Sequence, residues 1–474
     1  MSDELCDLPA TEQRGLLASK QVSARELLDA HLARIDAVNP TVNAVVGMDA
    51  DVAVARATAV DDVVAAGGDP GPLGGLVTAH KDLVDTADFV TTHGSTVYAD
   101  NRPAVDALQV ARIKAAGAVA LGKTNVPEFG AGSHSFNPVY GVTCNPYDPG
   151  LSAGGSSGGA GAALACGMVG IADGSDAGGS LRNPAAWNNV VGLRSSPRVV
   201  PRPGPGNPWQ TIPIDGPMAR TVDDLVLLLR VMAEPDARDP LNRALPLPDV
   251  LRPPTRPLRV AWSPTLGGLP VDPAVAAVLD TFRADIDGLG WEVTEAEPDF
   301  SGADECFVTL RAFLFANGPA GALGDRLAEI KATVRDEVER GRALSNAEVA
   351  AAFAHANVLW QRCVTFFADH DLLVGPVTQV PPFPIDQEYP TEVAGQPTST
   401  YIGWMLSNCR ISACQLPALS LPAGFDDAGL PVGAQLIGAP WGDVGVLQAA
   451  KALETATGHG SRRPDLSALA GASS

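Results

Sequence analysis

Short apolar runs recur along the chain and alternate with amphipathic stretches, and this alternation constrains the fold more than any other feature. Leu76 to Ala79, AVAL from Ala118, GMVGIA from Gly167, VVGL from Val190, LRVAW from Leu258, DLLVGP from Asp371 and ALSLP from Ala418 each read as a buried strand. Helical stretches lie between them. Ser23 and Glu26 form a capping box ahead of LLDAHLARIDAV, whose Leu28, Leu32 and Ile35 share one stripe and whose end is set at Asn39-Pro40. An alanine- and valine-rich helix over 51–66 follows, DALQVARIKAAG is stopped by Gly117, and VDDLVLLLRVMA and GVLQAAKALETA supply two more. Such alternation implies parallel pairing, so the expected fold is α/β. One large domain over 1–474 is expected, with a central mixed, mostly parallel sheet flanked by helices on both faces. Residues 1–70 would form N-terminal helices, 71–230 the core of the domain, and 231–474 the rest of the sheet with its long surface loops.

Charge and cysteine usage narrow the function. A net charge of -21 and the absence of any basic cluster argue against a nucleic-acid partner and suit neutral small molecules. The seven cysteines are scattered and never spaced as CxxC, so neither a disulfide framework nor a zinc site is expected, and a reducing cytoplasm is the simplest compartment. The start, MSDELCDLPATEQR, lacks the basic-then-apolar order of a signal peptide. The uncharged run from Pro149 to Ala172 contains eight glycines and three serines, too little apolar surface for a membrane span, so a buried helix is expected there.

Two glycine-serine stretches, GGSSGG at 154–159 and DGSDAGGSLR at 173–182, raise the question of catalysis, because glycine lets backbone crowd a reacting atom. A phosphate loop is one reading, since Gly117 to Thr124 satisfies GxxxxGK[ST]. Its context is wrong: a helix ends at the first glycine and the intervening letters look like strand. A nucleophile elbow is another, since 154–158 fits GxSxG with His355, His370 and His459 downstream, but YDPGLSAGG supplies turn formers where an elbow needs a buried strand. A third reading asks for a base other than histidine. Of six lysines, Lys81 is the one that ends an apolar strand, and burial favours its neutral form, which can take a proton from a hydroxyl. Taken alone, Lys81 would more often pair with Asp82.

Lys81 does not stand alone. PLGGLVTAHKD at 72–82, SAGGSSGGAGAALA at 152–165 and GSDAGGSLRNPAA at 174–186 together closely resemble the amidase signature family, and the intervals from Lys81 to Ser156 and from Ser156 to Ser180 agree with its pattern. The resemblance extends to GKTNVPEF at 122–129, NPYDPG at 145–150, VVGLR at 190–194, GPMARTVDDL at 216–225 and PALSLPAGFDDAGLPVGAQLIGAP at 417–440, nearly the whole chain. It implies an amide-bond hydrolase with Ser180 as nucleophile, Ser156 as proton relay after a cis peptide from Gly155, and neutral Lys81 as terminal base. Ala177, Gly178, Gly179 and Ser180 would offer backbone N–H groups as an oxyanion hole, where one donor is worth on the order of 3 kcal/mol. Ser157, Asp176 and Arg182 match supporting positions, the last two as a structural acid-base brace. That chemistry requires no metal or cofactor.

Departures from the family pattern are His80 before the lysine, Trp187-Asn188-Asn189 after the nucleophile loop, and Ser195-Ser196. Strand alternation points His80 away from Lys81. The Pro-rich loops at 201–213 and 378–390 are the expected substrate rim, carrying Trp209, Phe383 and Tyr389 and no obvious arginine clamp. The substrate expected is a neutral, bulky or aryl amide, or a carbamate (urethane), bound by a monomer or homodimer. The rivals are the catalytic subunit of a tRNA-dependent amidotransferase, which shares the signature, and, further off, an esterase or a non-enzymatic P-loop or scaffold protein.

Overall fold

The computed structural model describes residues 2–204, 207–398 and 400–471. Pro205 and Gly206, within the expected rim stretch 201–213, lie outside the described residues, as do Met1, Ser399 and residues 472–474. Eleven strands form the main sheet: β1 (Val45–Val46), β2 (Val77–Lys81), β3 (Val119–Thr124), β4 (Ile171–Asp176), β5 (Val191–Arg194), β6 (Ile214–Ala219), β7 (Arg259–Trp262), β8 (Glu292–Glu295), β9 (Leu372–Pro376), β10 (Ala418–Phe425) and β11 (Pro431–Ile437). In space they run β1-β3-β2-β4-β6-β5-β10-β11-β9-β7-β8. The sheet is mixed, but the expected parallel majority is not found. Only β2–β3, β2–β4, β7–β9 and β7–β8 pair in parallel, and the other neighbours are antiparallel.

At β6 and at the β10–β11 hairpin the difference has a local cause. Where a helix connects two strands the pairing is parallel, as from β2 to β3 through α1 (Leu108–Ala115) and from β7 to β8 through α2 (Pro273–Gly288). β10 and β11 are instead joined by a tight turn, with Asp426 and Leu430 paired through backbone, and a hairpin can only be antiparallel. β6 arrives from the long Pro-rich loop and slots antiparallel between β4 and β5.

Strand alternation divides the interior into two apolar layers. Along β9, Leu372 and Val374 join a cluster that includes Val260, Leu419 and Leu436, while Leu373 joins another with Ala261, Trp187, Phe307 and Trp404. The capping box of Ser23 and Glu26 opens the helix Ala24–Val42, which carries Pro40 in its last turn rather than stopping before it; Asn43, at φ 53°, caps it. Asn39 makes this possible, because its side chain binds the N–H groups of Ala44 and Val45 and the carbonyl of Val45. The helix Gly158–Ala165 is buried throughout, as expected for the uncharged glycine-rich run. A Cβ on Gly159 would collide with the backbone of Asn125 and Ala44, so the sequence must be small there. β2 and β4 are parallel neighbours, and their carboxyl ends bring Lys81 and Asp176 to one edge of the sheet, where ligands bind in α/β folds. Among the described residues no single helix is long and apolar enough to cross a membrane.

Candidate active site

Lys81 is fully buried at the end of β2. Its Nζ lies 2.8 Å from Ser156 Oγ, 3.1 Å from the Ser175 carbonyl oxygen and 3.1 Å from Ser175 Oγ. Burial drives the Lys81 pKa down to about 7, against the pull of the carboxylates of Asp176, Asp215 and Asp173, while Arg202 adds to the lowering. Three contacts suit a neutral amine, which has two N–H donors and one lone pair. The Ser175 carbonyl can only accept, and Ser175 Oγ takes the second N–H. Ser156 Oγ–H is then free to donate to the lone pair. Asp82 does not pair with Lys81: its carboxylate receives Thr92 and Gly94 instead.

Ser156 follows a cis peptide from Gly155 and is 3 % exposed. The Gly155 carbonyl accepts from Ser133 Oγ, which in turn accepts from Asn183 Nδ2 at 3.0 Å, so the loop is held from both sides. Ser157 N–H donates to the Ser180 carbonyl at 3.1 Å, stitching the two glycine-serine loops together. The Ser157 hydroxyl is buried with no hydrogen-bond partner among the described residues, so what ties Ser157 to the site is its backbone. Ser180 is 8 % exposed, and its Oγ makes no hydrogen bond to any described residue, Ser156 included. The structure therefore brings Lys81 Nζ and Ser156 Oγ together and leaves the Ser180 hydroxyl without a bond to either.

Asp176 anchors the glycine-serine loop that carries Ser180. Its carboxylate accepts from Gly179 N (2.8 Å), Leu181 N (3.1 Å), Arg182 Nε (3.0 Å) and Arg182 Nη2 (2.9 Å), and Arg194 Nη1 donates to its carbonyl at 2.8 Å. Burial opposes the charge, but Arg182, Arg194 and the Gly179 N–H together hold the Asp176 carboxyl well below the usual range. This corrects the expected oxyanion hole. Gly179 N–H is engaged by Asp176, three residues back in a tight turn at φ 111°, and is not free for a substrate oxygen. The N–H groups of Ala177, Gly178 and Ser180 have no acceptor among the described residues. Arg182, fully buried, also donates to Gln435 Oε1 (2.6 Å) and Ser412 Oγ (2.9 Å).

The P-loop letters run through strand β3, and Lys123 Nζ is buried against Val84 O, Thr86 Oγ1 and Thr91 Oγ1. No buried strand leads into Ser156, and His355, His370 and His459 are engaged by Ser301 O, Phe366 O and Asp285. His80 Nδ1 lies 3.0 Å from Asp173 Oδ2, whose other oxygen takes the Lys81 backbone N–H. Trp209 is exposed, but Phe383 is not a rim residue: it is buried in edge-on contact with Trp187 and Trp404. Sequence reasoning missed Ser175, Ser133, Asp173 and Asp215. Ser175 stands inside a quoted glycine motif, and strand register could have placed it beside Lys81; the others carry no local signal.

A buried lysine held against a serine between glycine pairs, at the carboxyl edge of a mixed α/β sheet, is an arrangement able to activate a hydroxyl for acyl transfer. The Amidase family profile matches residues 26–447, and the chain belongs to that family. It is 36% identical to an acylamidase of Rhodococcus erythropolis over 96% of this chain and 97% of that protein. It is 35% identical to a glutamyl-tRNA(Gln) amidotransferase subunit of Moorella thermoacetica over 98% of this chain and 99% of that one. The crystal structure of a bacterial aryl acylamidase of the amidase signature family superposes with a TM-score of 0.89 at 27% identity, covering 98% of both chains.

Proposed function

We propose that this amidase works as one catalytic domain in which Ser180 is the nucleophile, Ser156 the proton relay and Lys81 the base. The observation that carries the proposal is the 2.8 Å contact between a buried Lys81 amine, whose pKa burial lowers to about 7, and Ser156 Oγ. A rotamer change at Ser180 closes the remaining link when substrate arrives, since catalytic hydrogen bonds often tighten only in the complex. As Ser180 Oγ bonds to the carbonyl carbon, its proton passes to Ser156 Oγ while the Ser156 proton moves to Lys81 Nζ. The substrate oxygen becomes an oxyanion facing the N–H groups of Ala177, Gly178 and Ser180. Collapse breaks the C–N bond, the amine leaves with a proton returned through Ser156, and water cleaves the acyl-enzyme by the same route in reverse.

The substrates proposed are neutral bulky or aryl amides, in keeping with the acylamidase relatives. Carbamates form the second class, because the same nucleophile and oxyanion donors serve them. We place the protein in the cytoplasm, as a monomer or homodimer with no nucleic-acid partner, on its seven scattered, buried cysteines and its net charge of -21. The amidotransferase reading is kept because of the 35% identical relative from Moorella thermoacetica. Purified single-chain protein is assayed against p-nitroanilides, carbamates and glutamine. Turnover of anilides or carbamates by the lone chain, reduced about 10³-fold or more in Ser180→Ala and Lys81→Ala, is the expected result. Glutaminase activity appearing only with co-purified partners would replace it with the second reading, and full turnover in both variants would overturn the mechanism.

A further inference from the structure

Asp215 is buried on β6 and takes no part in the relay. It pairs directly opposite Ser175 of β4. Residues opposite each other in an antiparallel pair project from the same face with Cβ atoms about 5 Å apart. Ser175 Oγ is turned to Lys81 Nζ, so the Asp215 carboxylate stands on the amine's side of the sheet. Its ion-pair partner is Arg202, Nε to Oδ2 3.3 Å, on the Pro-rich loop, with a side chain 43% exposed. The Arg202 backbone is tied down, its N–H to Asp239 Oδ2 at 2.8 Å and its carbonyl to Arg198 Nη1 at 3.1 Å.

The charges facing Lys81 are Asp173 and Asp176 from β4, Asp215 from β6 and Arg202 from the loop. Asp176 is matched by two buried arginines, Arg182 and Arg194. Asp173 is held by His80 and the Lys81 backbone N–H, and feels Lys123. Asp215 is left with one half-exposed arginine in contact and Arg198 further off. Burial lifts its carboxyl, with Asp173 adding to the rise, and Arg202 works against both, followed by Lys81 and Arg198. Among these carboxylates, Asp215 is the one whose charge is balanced from the rim of the site.

We propose that Asp215 and Arg202 form a charge pair that sets how readily Lys81 gives up its proton, making them positioning residues for the base. A carboxylate on the amine's side favours the ammonium, and the guanidinium offsets it. The pair thereby fixes the pH at which the enzyme switches on. This inference rests on the reading of Lys81 as the base.

The test is the pH profile of kcat/KM on one good substrate for wild type, Asp215→Asn and Arg202→Gln, with thermal melts to verify folding. Asp215→Asn is expected to move the acid limb to lower pH by about half a pH unit to one, a three- to tenfold loss of proton affinity, with the plateau kept within a few-fold. Arg202→Gln is expected to move it the other way. An unmoved or upward-shifted limb in folded Asp215→Asn overturns the proposal. Should Asp215→Asn fail to fold, Arg202→Gln at its half-exposed position decides alone: an upward shift supports the pair and an unmoved limb overturns it. A wild-type profile with no acid limb, or full activity in Lys81→Ala, removes the base itself, and that failure is distinct from a limb that is present but does not move.

Discussion

Lys81→Met converts the buried amine into a group of similar length that does not titrate, and its consequence for stability follows from the site. Burial takes the lysine from an ordinary 10.5 to about 7. Each tenfold loss of proton affinity corresponds to about 1.4 kcal/mol, so at pH 7 the amine costs the fold ~4 kcal/mol relative to a non-titrating side chain. The folded pKa lies below the unfolded one, so between about 7 and 10.5 the unfolded chain binds the extra proton and wild-type stability rises with pH. The penalty is fully present below about 7 and is gone near 10.5. Methionine also forfeits the contacts of Nζ with Ser156 and Ser175, each net about 1 kcal/mol, which leaves a gain of ~1–2 kcal/mol at pH 7. The signature is therefore the slope. The advantage of Lys81→Met over wild type should shrink by up to about 1.4 kcal/mol for each step of one in pH from about 7.5 to 9.5. Lys123 and Lys331, each lowered to about 8 by burial, titrate in both proteins and cancel. Urea midpoints at a series of pH values measure the difference. Parallel pH dependences of the two proteins would refute the assignment of a neutral buried amine.

Asp176→Asn leaves Arg182 and Arg194 buried without their counter-charge and should lower stability by about 3–5 kcal/mol, read as a drop in the urea midpoint at pH 7. Gly179→Ala places a Cβ 2.7 Å from Asn408 Cβ at a φ of 111°, a strain of about 1–3 kcal/mol in the nucleophile loop. Its kcat should fall at least about tenfold while KM changes little, as steady-state kinetics will show.

Much of this architecture can be read from the chain because buried strands are written as unbroken apolar runs. GMVGIA, VVGL, LRVAW, DLLVGP and ALSLP all run into or overlap strands of the main sheet. Lys81 is conspicuous for a chemical reason: a charged residue at the end of an apolar strand must have partners or lose its charge. Those partners are hidden in the sequence, because Ser175 reaches the amine, and Asp215 comes opposite Ser175, only through the register of β2, β4 and β6, which long-range pairing decides. The expected parallel majority fails at the β10–β11 hairpin, whose turn contributes no helix, and at β6, which a loop delivers. Phe383 reads as a rim residue because its Pro-rich surroundings suggest a surface loop, whereas Trp187 and Trp404 enclose it. Gly179 reads as a free donor because the reach of the Asp176 side chain to it is a turn geometry that glycine content alone does not reveal.

Catalysis by this route requires that the substrate acylate Ser180 Oγ, with Lys81 drawing the proton through Ser156. Mass spectrometry of peptides from enzyme quenched with a slowly deacylating carbamate tests this directly. An adduct on the peptide carrying Ser180, stoichiometric in wild type and strongly retarded in Lys81→Ala, is the predicted result. An adduct on Ser156, or labelling of Ser180 that is equally fast without the lysine, would contradict it.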